Sequence, residues 1–79
     1  MRLKVEVQAY LDQYSPNGQG SFEYELPEGA NVTALIRALN IPEEMTSVVI
    51  VNDTNAPLDH PLRDGDRVTL IPPLAGGMG

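Results

Sequence analysis

The strictest constraint on this chain is a period-two alternation at its start, in RLKVEVQAYL, residues 2–11. Leu3, Val5, Val7, Ala9 and Leu11 fall on one side, and Arg2, Lys4, Glu6, Gln8 and Tyr10 on the other. Successive side chains of a strand point to opposite faces, so the pattern predicts a strand with one buried and one wet face. A sheet of that kind needs a single cover. With 79 residues there is room for one domain, in which one layer of sheet packs on one helix.

The rest of the sequence supplies the parts. Asp12 to Gly20 (DQYSPNGQG) is a loop of turn formers, with Asn17-Gly18 suited to positive φ. Phe22, Tyr24 and Leu26 then alternate with Ser21, Glu23 and Glu25, which closes a hairpin on the first strand. Pro27 to Ala30 ends that strand. Asn31 is a candidate N-cap, and Val32, Leu35, Ile36 and Leu39 mark the apolar stripe of a short helix. Asn40 can take the left-handed position at its end, and Pro42 prevents continuation. Ser47 to Asn52 (SVVIVN) is β-branched, which predicts a strand buried on both faces or nearly so. Pro57 to Leu62 reads as irregular. Asp64-Gly65-Asp66 is a tight turn into a last strand, Arg67 to Ile71, which Pro72-Pro73 terminates. Hairpin, crossover helix and further strands give an α+β roll of the β-grasp, or ubiquitin-like, type. Its mixed sheet carries one main helix on one face. The domain is expected over residues 1–73, with a flexible tail at 74–79.

Several chemistries find no support. The chain has no cysteine, so disulfides, thiolate metal sites and a cysteine nucleophile are ruled out. His60 stands alone beside Asp59, with no serine placed as its nucleophile. A structural role, capping a turn through its ring nitrogens, is the expectation. Asp64 and Asp66 supply fewer oxygens than a calcium site requires. Neither a phosphate-binding P-loop nor a strand-linked GxGxxG occurs. No catalytic residue, metal or cofactor is expected. Eleven acidic residues against five basic give a net charge of −6, which disfavours nucleic acid and either suits a basic protein surface or simply keeps a small domain soluble. No signal peptide or membrane-spanning run is apparent, and a cytoplasmic location is the expectation.

What stands out is the end of the chain, Pro72-Pro73-Leu74-Ala75-Gly76-Gly77-Met78-Gly79. Two glycines without Cβ atoms can enter a channel closed to other residues. Leu74 to Gly77 can reach roughly 13–14 Å beyond the second proline.

In its order of motifs the chain resembles the sulfur-carrier family of ubiquitin-like proteins. The residues concerned are Val51-Asn52, Asp59-His60-Pro61-Leu62, Asp64-Gly65-Asp66-Arg67-Val68 and Pro72-Pro73-Leu74-Ala75-Gly76-Gly77. That family includes the small subunit of molybdopterin synthase and the thiamine-pathway carrier, and the double proline is closer to the former. The resemblance implies a carrier without catalytic residues of its own. Its C-terminal glycine would be adenylated by a ubiquitin-activating-like enzyme and converted to a thiocarboxylate for molybdenum or tungsten cofactor synthesis. It makes Gly77 the acceptor (Gly79 if the chain is untrimmed) and Leu74, Ala75 and Gly76 the rest of the inserted tail. Ile71, Pro72 and Pro73 become candidates for partner binding. A sulfur-accepting synthase subunit is the second implied partner. In the family the second glycine is normally last, whereas Met78-Gly79 follows it here. Some family members are made with a short extension that a JAMM-type zinc metalloprotease removes, so trimming after Gly77 is expected. Two other readings stay open: a protein modifier conjugated through its C-terminus, and a non-covalent β-grasp binding module.

Overall fold

The alternating N-terminal segment forms strand β1, Arg2–Val7, in a computed structural model that describes residues 1–73. Its odd-numbered residues Leu3, Val5 and Val7 are buried and its even-numbered ones exposed. Strand β2 is Ser21–Glu25, helix α1 Val32–Ala38, and strands β3, β4 and β5 are Val48–Val51, Thr54–Asn55 and Arg67–Ile71. One five-stranded sheet has the order β2-β1-β5-β3-β4. Strand β5 runs parallel to β1 and antiparallel to β3, and the two outer pairs are antiparallel. This is the mixed β-grasp sheet that the element order predicts.

The helix forms where its ends are satisfied. Asn31 Oδ1 accepts the Ala34 N–H at 2.9 Å, filling one of the donors orphaned in the first turn. At the other end Asn40 is left-handed (φ 61°), the Asn40 N–H donates to Arg37 O, and the Ile41 N–H donates to Ile36 O. That is a Schellman closure with asparagine in the usual glycine position. Between the caps Val32, Leu35 and Ile36 are fully buried, facing Leu3, Val5, Val68 and Leu70 of the central strands in one core.

Three local expectations are corrected. Strand β1 stops at Val7, and Ala9–Tyr14 is a 3-10 helix entered through a positive φ of 54° at Ala9. Ala9 is therefore exposed, while Leu11 is still buried because the helical turn swings it back under the sheet. Strand β3 is not buried on both faces. Val49 and Val51 are buried, Val48 is 37% exposed and Ile50 is half-buried, since the helix covers only one side of the sheet. Finally, Asn52 and Asp53, both with positive φ, turn β3 back into the short β4, which the sequence reading left unassigned.

Candidate functional site: the tail exit and the open face of the sheet

The candidate acceptor Gly77, its companions Leu74, Ala75 and Gly76, and the Met78-Gly79 extension lie outside the described residues. What the structure does place is their point of departure. Strand β5 sits in the middle of the sheet, between β1 and β3, so the described residues end beside its centre. Of the three residues expected to meet a partner, Ile71 is half-buried on the open face, Pro72 is buried and Pro73 is exposed.

Beside this exit lies a residue that the sequence reading did not single out. The 3-10 helix brings Tyr10 next to the end of β5, with its hydroxyl 3.4 Å from the Pro73 carbonyl oxygen. The Gln8 N–H donates to Leu70 O at 3.1 Å, holding the start of that turn against the same strand. Reading the first strand through to Leu11 hid this, since Ala9 carries no conventional turn signal.

Register assembles the open face. On β1 and β2 it carries Arg2, Lys4, Glu6, Ser21, Glu23 and Glu25, all exposed. On β5 and β3, Val48 pairs with Ile71 and Ile50 pairs with Thr69, so three aliphatic side chains form a patch next to the exit. Ile71 was expected there; Val48 and Ile50 were missed because their strand was read as buried on both sides. The alternation of exposed Arg67 and half-buried Thr69 with buried Val68 and Leu70 was the available signal, because a paired strand must share its neighbour's faces.

The acidic turn before β5 is spent on architecture. Asp64 Oδ1 accepts the Arg2 N–H at 2.6 Å, and the Gly65 N–H donates to Arg2 O at 2.8 Å. Asp66 accepts from the Arg63 N–H and from Asn52 Nδ2, each at 2.8 Å. Asn52 Oδ1 in turn accepts the Arg67 N–H at 3.0 Å. Gly65, at φ +88°, supplies the left-handed position this turn needs. Arg67 also pairs with Asp53 at 3.1 Å on the surface. The two turn carboxylates, committed to the backbone and to Asn52, are therefore not free ligands. His60 is structural too, but through its main chain: its carbonyl accepts the Val32 N–H at 3.1 Å, and its own N–H donates to Pro57 O. The 57–60 turn aims that carbonyl at the start of α1, and among the described residues the cap is this backbone bond, with no hydrogen bond from the ring nitrogens that were expected to make it. Among the described residues no three His, Cys, Asp or Glu side chains are grouped to hold a metal, and no helix is long and apolar enough to cross a membrane.

Residues 5–77 match the model of the ThiS family. No curated protein sequence matches the chain. Among solved structures, a putative molybdopterin converting factor subunit 1 from Pyrococcus furiosus is similar at 30% identity, over 94% of this chain and 99% of that one, with a TM-score of 0.72. The HVO 2177 protein of Haloferax volcanii superposes with a TM-score of 0.79 at 23% identity, over 98% of this chain and 87% of that one. A chain in a complex of subunits 1 and 2 of the molybdopterin-converting factor from Helicobacter pylori is 24% identical, covering 98% of this chain and 100% of that one, with a TM-score of 0.59. The last two likenesses speak for the fold alone.

Proposed function

The chain belongs to the ThiS family of ubiquitin-like sulfur carriers, and we propose that it carries sulfur as a thiocarboxylate on Gly77 for molybdopterin synthesis. The observation that carries this reading is the place of the Gly76-Gly77 pair. It follows the central strand β5 after only four intervening residues, Pro72 to Ala75, and closes the segment matched to the family.

The chemistry follows from what a carboxylate lacks. It is a poor electrophile until its oxygen becomes part of a good leaving group. An adenylating enzyme supplies that by joining the Gly77 carboxylate to AMP, with release of pyrophosphate from ATP. Sulfide, as HS⁻, then attacks the acyl carbon. The C–O bond to AMP breaks, AMP leaves with the electron pair, and the thiocarboxylate remains. Nothing in this sequence of steps asks the carrier for an acid, a base or a metal. Its own task is to present the terminus from a rigid sheet and to dock.

The likeness to the Pyrococcus furiosus converting-factor subunit supports a molybdopterin pathway, with a sulfur-accepting synthase subunit as the second partner. Val48, Ile50 and Ile71 beside the tail exit would give the adenylating enzyme its apolar foothold. Met78 and Gly79 add roughly 7 Å of extended chain past the acceptor, which calls for prior removal by a JAMM-type protease. Incubation of the chain trimmed after Gly77 with the cognate adenylating enzyme, ATP and sulfide tests the reading. The expected product is one in which sulfur replaces a terminal oxygen. Conjugates of higher mass in place of that product would favour a protein modifier instead.

A further inference from the structure

Among the described residues, the sheet ends on one side in a strand whose outer edge has no neighbouring strand. Strand β2 is terminal in the order β2-β1-β5-β3-β4. Its pairing with β1 fixes which backbone groups face outward. The Met1 amine donates to Leu26 O and the Leu26 N–H returns a bond to Met1 O, so this pair exchanges both bonds. Val7, whose N–H donates to Gly20 O, closes the ladder at the other end. In an antiparallel ladder bonded and non-bonded pairs alternate. The pairs Leu3–Tyr24 and Val5–Phe22 are thus bonded, and Arg2–Glu25, Lys4–Glu23 and Glu6–Ser21 are not. Independent bonds agree: the Arg2 and Lys4 N–H groups point the other way, to Asp64 Oδ1 and Asp66 O. The N–H and C=O groups of Ser21, Glu23 and Glu25 therefore face away from the sheet, a ready template for one more strand.

The side chains decide which strand. Glu23 and Glu25 are exposed on the open face, two residues apart, and share Arg2 at 3.6 Å each. Successive same-face residues of a strand are about 7 Å apart, so an added strand with basic residues at i and i+2 would meet both carboxylates. On the opposite face Tyr24 is half-buried, its hydroxyl 3.4 Å from Ala38 O of α1, and its ring stacks edge-on to Phe22. That ring offers an apolar resting place to the residue between the two basic ones. A second copy of this chain is a poor occupant, because antiparallel pairing centred on Glu23 sets that carboxylate against its own counterpart. The net charge of −6 acts in the same direction. We propose that the free edge of β2 is a docking site for an extended protein segment with alternating basic and apolar residues, added as a sixth strand.

The test uses the full 79-residue chain, isotopically labelled, with a synthetic peptide of alternating lysine and valine as the probe. A glutamate–valine peptide serves as the control. The lysine peptide should shift the amide resonances of Ser21, Glu23 and Glu25 most, and bind more weakly as salt rises. Glu23→Pro removes an outward N–H without touching the β1 ladder, and should bind about tenfold more weakly than Glu23→Gln, which loses only the charge. A probe with N-methyl groups on alternate residues gives the same contrast from the ligand side, should Glu23→Pro fail to fold. Equal binding of the methylated and unmethylated peptides would overturn the proposal. So would shifts confined to Val48, Ile50 and Ile71, equal binding by the two Glu23 variants when both fold, or no shifts at all.

Discussion

The two faces of one sheet divide the work of this molecule. The face under α1 is uniformly apolar: Leu3, Val5, Val49, Val51, Val68 and Leu70 are at most 5% exposed. The open face is mixed, with charges on β1 and β2 grading into Val48, Ile50 and Ile71 on β3 and β5. Every residue of the first set is there to hold the strands together. The second set is under no such constraint, so its composition is where a partner can be read. Under the docking proposed for the open face, stability and recognition lie on the same strands, one residue out of phase.

That division can be broken most forcefully from the covered side. Leu35→Ala leaves a cavity against the central strands and should cost about 3 kcal/mol of unfolding free energy, measured by urea denaturation. A loss below about 1 kcal/mol would mean the core is looser than its burial indicates. Asn52→Ala comes next. It removes the side chain that bridges Asp66 and the Arg67 N–H, and should cost about 1–2 kcal/mol with no change in partner binding. On the open face the expected stability effect is smallest and the binding effect largest. Ile71→Asp should shift stability by no more than about 1 kcal/mol, yet weaken binding to the adenylating enzyme about tenfold or more. Unaltered affinity in that variant would remove the open face from the docking account.

The covered face was legible in the sequence and the open face only in part. Leu3, Val5, Val7 and the Val32, Leu35, Ile36, Leu39 stripe announce their burial through periodicity, because water penalises any other arrangement. The caps at Asn31 and Asn40 were equally plain, each being a residue type suited to its backbone geometry. What escaped was set by tertiary context. Val48 and Ile50 look like core residues, but α1 covers the other face of the sheet, and among the described residues Val48 is exposed and Ile50 half-buried. The turn at Ala9 was invisible because nothing about alanine favours a positive φ, so neighbouring packing, including that of Leu11, imposes it. Without that turn Tyr10 could not have been placed beside Pro73. The Asp64-Gly65-Asp66 motif was read correctly as a turn, but its second use, as the clamp joining Arg2 and Asn52, depends on contacts distant in sequence.

The terminus decides between these readings, and it can be read by intact-mass analysis of the protein isolated from its native cells. The expected species is a chain ending at Gly77 in which one terminal oxygen is replaced by sulfur. A full-length chain bearing the thiocarboxylate on Gly79 would contradict it.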